Sequence, residues 1–125
     1  MNQKTSLLWG AIMAGVAVAI GAFGAHALKP ILTAAGRQDT FEIAVRYQFY
    51  HALGLLIVGL LAKNIRTKGL GTSAWLFLLG ILIFSGSLYI LCLTGITWLG
   101  AVTPIGGVFF LAGWIFLALA VVRHK

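Results

Sequence analysis

Residues 69–122 read GLGTSAWLFLLGILIFSGSLYILCLTGITWLGAVTPIGGVFFLAGWIFLALAVV, and none of them is Asp, Glu, Lys, Arg or His. A membrane-spanning α-helix needs about 20 apolar residues, because the hydrocarbon core of a bilayer is about 30 Å thick. These 54 residues are therefore enough for two spans joined by a turn. Pro104 suits the first turn of the second helix, so the sequence predicts helices over about residues 73–94 and 104–122.

Two further apolar runs precede this stretch, and each contains one histidine. His26 is the only charged or histidine residue in 5–28, and His51 is the only one in 47–62. The first run is longer than the roughly 7–15 apolar residues of a cleaved signal peptide, which favours a retained span. With the polar residues that lead into the second run, the sequence predicts helices over about residues 6–28 and 40–62.

The composition places the protein in a membrane. Hydrophobic residues make up 61% of the 125 and charged residues only 9%, whereas roughly a quarter of the residues in a soluble domain are charged. This excludes an ordinary soluble domain. The sequence predicts an all-α integral membrane four-helix bundle that forms a single domain over residues 1–125.

The basic residues predict the orientation of the bundle. By the positive-inside rule, the side of the membrane with the more basic short loops is cytoplasmic. The side of the bundle that carries both termini has six basic residues and no acidic residue, so the rule places both termini in the cytoplasm. The net charge of +7 does not indicate nucleic-acid binding, since the basic residues are dispersed and form no stripe or tail. The residues of the basic side are Lys4, Lys63, Arg66, Lys68, Arg123 and Lys125.

Residues 39–54, DTFEIAVRYQFYHALG, contain both acidic residues of the chain. Asp39 followed by Glu42 is an acidic variant of a capping box, which predicts the start of the second long helix. Glu42 and Arg46 are four residues apart, the spacing of a surface ion pair on a helix. Before this segment, Pro30 and Gly36 bracket a short turn predicted to lie in the interface over residues 31–35.

Small residues recur along the first predicted helix. Ala11, Gly15 and Ala19 form one row at a spacing of four residues, and Ala17, Gly21 and Ala25 form another. Such rows let helix backbones approach closely in lipid, where packing drives helix association. We therefore expect the first helix to be the most enclosed of the four.

Polar side chains gather in the half of the bundle that the charge pattern assigns to the outside. If Lys29 and Arg46 mark the same depth, His26 and His51 differ in depth by only about 3 Å. The sequence thus predicts a polar pocket, edged by Glu42 and Arg46. Its predicted residues are His26, Tyr47, Gln48, His51, Ser85 and Tyr89.

Four motifs resemble a known family: GAFGAHALK at 21–29, YQFYHALGLL at 47–56, FSGSLY at 84–89 and LTGITWLGAVTPIGG at 93–107. Together they resemble the YgdD- and YwdK-like small four-helix membrane proteins of domain-of-unknown-function family 423. The resemblance covers nearly the whole chain. It implies the fold and a membrane location, and it implies no activity. We expect the protein in the bacterial inner membrane.

The residues leave several functions open. We expect a non-catalytic accessory or lipid-binding component, with membrane lipids and a larger complex or a second copy as partners and no cofactor. A small-solute carrier or channel-like protein is the first alternative. A haem or metal protein with His26 and His51 as ligands is the second, because facing histidines suit cofactor sites in bundles. An enzyme comes last, because neither acid lies deep enough to orient a serine–histidine pair.

Overall fold

The computed structural model describes residues 1–124; Lys125, one of the predicted inner-side charges, lies outside the described residues. No β-strand occurs in this part of the chain. Four helical stretches are long and apolar enough to cross a membrane. The predicted all-α four-helix membrane fold is confirmed. The four stretches are Gln3–Ala25, Gln38–Leu61, Lys68–Thr94 and Thr97–Arg123.

Residues 1–124 contain six α-helices and two short irregular helices. A π-helical turn, Ile81–Ser85, joins α4 and α5 into one span, and a 3₁₀ turn, Thr97–Ala101, precedes α6. A short helix, α2, occupies the segment predicted as an interfacial turn. The α-helices are α1 (Gln3–Ala25), α2 (Lys29–Ala35), α3 (Gln38–Leu61), α4 (Lys68–Gly80), α5 (Gly86–Thr94) and α6 (Thr103–Arg123).

Local sequence signals explain several helix ends. The Asn2 side chain accepts a hydrogen bond from the Thr5 N–H at 2.8 Å, as expected of an asparagine N-cap. Gly36 ends α2 with φ 67°, and Gly95 ends α5 with φ 73°. Both angles are left-handed, a conformation that glycine adopts without steric cost. The turns after α2 and after α5 therefore follow from the positions of these two glycines.

The predicted acidic capping box at the start of α3 is wrong. Arg37 is the N-cap residue, and no side chain caps this helix. Because α3 begins at Gln38, Asp39 lies inside the first turn, where a negative charge interacts favourably with the helix dipole. The predicted ion pair does form, with Arg46 Nη2 3.3 Å from Glu42 Oε1.

The spans pack as two antiparallel pairs, α1 with α3 and α4–α5 with α6, and the pairs meet where α3 packs against the α4–α5 span. The expectation that α1 is the most enclosed helix is wrong, because only 11% of its apolar window is buried. Its contact with α3 runs through Gly10, Ala17 and Gly24, which are seven residues apart. The predicted row of Ala11, Gly15 and Ala19 is exposed, whereas Ala17 and Gly21 of the second predicted row lie at or near the contact. A seven-residue spacing forms one narrow seam, so the rest of α1 faces outward.

Glycines on α3 and α6 make room for the central aromatic side chain. Phe77 of α4 is fully buried. A Cβ atom on Gly113 would lie 2.7 Å from the Phe77 ring, and one on Gly54 would lie 3.0 Å from it. An apolar cluster around Phe77, which includes Leu55 and Leu70, fills the half of the bundle next to the basic connection between α3 and α4.

Candidate functional site

Gln48 connects three helices in the bundle core. Its side-chain amide donates to the Met13 carbonyl oxygen of α1 at 2.9 Å. The Tyr89 hydroxyl of α5 donates to Gln48 Oε1 at 2.6 Å. Gln48 is 2% exposed, so both bonds form away from solvent. The structure brings these two predicted site residues together as a buried tie between α1, α3 and α5.

His51 lies on a different side of α3, among aromatic rings of α6. Its ring stacks on Phe110 with centroids 3.5 Å apart and an angle of 8°. Nδ1 lies 2.7 Å from the Tyr47 carbonyl oxygen, and the Trp114 indole N–H donates to Nε2 at 3.0 Å. With Nε2 accepting, Nδ1 carries the proton and donates to the carbonyl oxygen. Both ring nitrogens are therefore occupied.

Buried serines tie helices together through backbone carbonyls. Ser85, in the π-helical turn, donates to the Ala44 carbonyl oxygen at 2.6 Å. Ser6 donates to the Leu55 carbonyl at 2.7 Å, and Ser73 donates to the Gly113 carbonyl at 2.8 Å. Such bonds satisfy polar side chains inside a membrane bundle. Ser85 thus acts as a contact between α3 and the π-helical turn.

The structure does not bring His26 to His51. Gly24 of α1 lies against Phe41 of α3, so His26, at the end of α1, is level with the start of α3. His51 lies about 12 residues further along α3, about 18 Å along the helix axis. His26 is exposed, whereas His51 is buried. The depth alignment failed because α1 packs along the polar first turns of α3, which puts Arg46 deeper in the bundle than Lys29.

Tyr47 contributes mainly its ring to this region. It is 38% exposed and stacks on Phe84 with ring centroids 4.8 Å apart. Gln48, the next residue in the sequence, faces other helices and forms its hydrogen bonds with α1 and α5. The predicted pocket residues therefore divide into a Gln48–Tyr89 group and a His51–Tyr47 group, with their space filled by side chains.

A cleft of about 460 Å³ lies at the same end of the bundle, between α1, α2 and α3. The two predicted rim residues, Glu42 and Arg46, line it, and none of the six predicted pocket residues does. Charged residues of both signs form one part of its lining: Lys29, Asp39, Glu42 and Arg46. Small and apolar residues form the remainder: Gly21, Gly24, Ala25, Leu32, Phe41 and Val45, with Gln38 at the helix start.

The cleft is shaped by α2 and by two glycines. Leu32 of α2 is 1% exposed and packs in one cluster with Phe41 and Cys92, which holds α2 across the end of α3. A Cβ atom on Gly24 would collide with the Phe41 ring, and one on Gly21 would lie 3.2 Å from Val45. Glycine at these positions lets α1 approach α3 closely beneath the cleft.

Trp114 and the lining role of Lys29 and Asp39 were not predicted from the sequence. Trp114 lies far from both ends of α6, and an indole N–H at that depth in a membrane needs an acceptor. That requirement was the available signal for the His51–Trp114 pair. For Lys29 and Asp39 the available signal was weak, because only the placement of α2 brings both residues to the lining of one cleft.

Metal ligands are sparse in the described structure. Residues 1–124 contain no group of three or more His, Cys, Asp or Glu side chains that could hold a metal ion. Cys92, the single cysteine, is buried, with its Sγ 3.8 Å from the Arg37 carbonyl oxygen. The cleft, with its mixed charges and apolar lining, is thus the candidate functional site.

Comparison with known proteins identifies the family. Residues 20–107 match the model of the "Protein of unknown function (DUF423)" family. The chain is 46% identical to the UPF0382 membrane protein YwdK of Bacillus subtilis, covering 98% of this chain and 99% of that protein. It is 44% identical to a UPF0382 membrane protein of Staphylococcus epidermidis, covering 97% and 98%. No solved structure matches. The chain therefore belongs to the DUF423 family of membrane proteins, whose function is unknown.

Proposed function

We propose that this membrane protein is a non-catalytic lipid-binding component that holds one phospholipid in the cleft between α1, α2 and α3. It works in the bacterial inner membrane with both termini in the cytoplasm, and the cleft opens toward the outer leaflet. The absence of acidic residues among the basic residues at the opposite end supports this orientation.

The observation that carries the proposal is the combination of charged and apolar groups in the cleft. Lys29, Asp39 and Glu42 line its outer part, and Arg46 lines its deepest part beside Val45 and Gly21. A phospholipid combines the same groups, with a charged headgroup joined to apolar acyl chains. The volume of about 460 Å³ falls in the usual range for ligand sites, roughly 300–1,000 Å³.

The core supports this function over a carrier. Phe77 and the cluster around it fill the half of the bundle opposite the cleft. The polar groups of Gln48, His51 and Ser85 are engaged in hydrogen bonds between or within helices. A transport path through this bundle would have to break these bonds and displace packed rings.

The polar geometry also supports binding over catalysis or haem ligation. The Ser85 hydroxyl donates a hydrogen bond to a backbone carbonyl oxygen, whereas a nucleophilic serine needs a base as its hydrogen-bond partner. His51 uses both ring nitrogens within the bundle, and His26 lies about 18 Å away along the axis. Ligation by both histidines would require a different helix register.

The experiment is to fill the cleft from α1. Ala25 is exposed and lines the cleft, so Ala25→Trp occupies it without entering the α1–α3 seam. Ala22→Trp is the matched control, because Ala22 is exposed one turn earlier and does not line the cleft. Native mass spectrometry of the protein released from detergent measures the fraction that retains a phospholipid.

We expect wild type and Ala22→Trp to retain one lipid and Ala25→Trp to lose it. Equal retention in all three proteins, or retention in none, would contradict the proposal. Circular dichroism of each variant checks that the helical fold is intact.

A further inference from the structure

We infer that the cleft selects a zwitterionic phospholipid with a primary ammonium group, of the phosphatidylethanolamine type; this inference rests on the proposed lipid-binding function. Arg46 would bind the phosphate, and Asp39 with Glu42 would bind the ammonium. The charge balance of the cleft is the first reason. Both acidic residues of a chain with net charge +7 line this one cleft, together with two basic residues.

The four charges sum to zero, as do those of the headgroup. An anionic headgroup such as phosphatidylglycerol would meet the two carboxylates without a cation to offer them. Like charges that face each other across a binding site disfavour the wrong ligand. The opposite end of the bundle has basic residues and no acidic residue, so its charge is complementary to that of anionic lipids.

The order of charges along α3 matches the direction of the headgroup. Arg46 lies seven residues deeper in α3 than Asp39, which is about 10 Å along the helix axis. In a phosphatidylethanolamine molecule the phosphate lies next to the glycerol, toward the hydrocarbon, and the ammonium is the outermost group. The Arg46 guanidinium lies beside the Glu42 carboxylate, which is one turn from Asp39. A phosphate at this guanidinium therefore leaves the ammonium, two carbon atoms further out, on the side of Asp39.

Two of the four charged groups have no ion partner in the described structure. Within residues 1–124 the one ion pair is Glu42 with Arg46, and both of these side chains are more than half exposed. The Asp39 carboxylate and the Lys29 ammonium thus remain available to a ligand. Arg46 can bind phosphate with a second edge of its guanidinium while it keeps its ion pair with Glu42.

The lining favours a primary over a quaternary ammonium. Quaternary ammonium groups such as choline are recognised by cages of aromatic faces. Phe41 is the one aromatic residue of this lining, and it is 4% exposed and packed against Tyr89. Carboxylates accept hydrogen bonds, which a primary ammonium donates and a choline headgroup cannot.

The test compares lipids that differ only in the headgroup. Detergent-solubilised full-length protein is titrated with phosphatidylethanolamine, phosphatidylcholine and phosphatidylglycerol of identical acyl chains, and bound lipid is counted by native mass spectrometry. We expect phosphatidylethanolamine to bind about tenfold more tightly than the other two, the effect of roughly one charge-assisted hydrogen bond. Equal binding of all three would overturn this inference but leave lipid binding intact, whereas no binding would overturn both.

Asp39→Asn tests the ammonium site directly. Asp39 is exposed, so the isosteric amide leaves the fold intact. We expect this variant to bind lipid while losing its preference for phosphatidylethanolamine over phosphatidylcholine. Thr72→Lys, which adds the same unit of charge on the exposed surface of α4, is the control and should keep the preference.

A third arm separates lipid from free headgroup. Glycerophosphoethanolamine carries the same charges without acyl chains, and we expect it to compete only at concentrations at least about a hundredfold higher, since it buries no apolar surface. Equal competition by this soluble compound would overturn the assignment of a lipid. Retained preference in Asp39→Asn would overturn the ammonium site.

Discussion

Trp114 of α6 and His51 of α3 share a hydrogen bond in the bundle interior, with the indole nitrogen 3.0 Å from His51 Nε2. Trp114→Phe removes the donor and keeps an aromatic ring, so His51 Nε2 is left unpaired. We expect the free energy of unfolding to fall by about 0.6–1.7 kcal/mol, the range for interhelical hydrogen bonds in membrane bundles. Reversible unfolding in mixed micelles measures the change.

Trp75→Phe is the control for the loss of an indole, because Trp75 is 48% exposed on α4. We expect its effect to stay within about 0.5 kcal/mol, as for most surface substitutions. Equal losses in the two variants would show that the His51 contact adds nothing.

The same geometry predicts that the purified protein is colourless. His51 has no free ring nitrogen, and His26 lies about 18 Å away along the axis, too far to share one iron atom with it. We expect no Soret absorption and no stoichiometric metal in protein purified in mild detergent. A Soret band that disappears in His51→Ala would show that the helices adopt another register in the membrane.

Adjacent glycines of α6 predict opposite effects. A Cβ atom on Gly106 would collide with the Phe84 backbone in the π-helical turn, whereas one on Gly107 would lie 4.0 Å from the Phe84 ring. We expect Gly106→Ala to destabilise the fold by about 1–3 kcal/mol through overpacking. Gly107→Ala should be neutral or stabilising by up to about 1 kcal/mol, because alanine is the better helix former.

Both glycine variants are compared by thermal unfolding in the same detergent. If Gly107→Ala is the more damaging of the two, the contact between α6 and the π-helical turn is misplaced.

The Tyr89 hydroxyl stabilises the buried amide of Gln48, at 2.6 Å from Oε1. Tyr89→Phe removes this bond while the ring keeps its contact with Phe41. We expect a loss of about 0.6–1.7 kcal/mol in the free energy of unfolding. Tyr50→Phe, at a residue 52% exposed to the surroundings of α3, is the matched control and should change stability by less than about 0.5 kcal/mol. Similar losses would contradict the tie between α3 and α5.

The sequence by itself determined the number of spans, the all-α class, the two charged ends and the family. The spans, the class and the charged ends depend on transfer of single residues between water and hydrocarbon, so they can be predicted from local composition. The family follows from the four sequence motifs. The Glu42–Arg46 pair belongs to the same group, because both residues lie on one helix turn. The charged rim of the cleft was therefore partly predictable.

Only the tertiary structure decided how the helices meet. The seam of α1 runs through Gly10, Ala17 and Gly24, although the sequence offers two other rows of small residues at a spacing of four. That register separates His26 from His51 and pairs His51 with Trp114 instead. In a bilayer all four helices are surrounded by equally apolar partners, so hydropathy does not select a face or a register. Packing between small residues and rings far apart in the chain makes that selection, and with it forms the cleft.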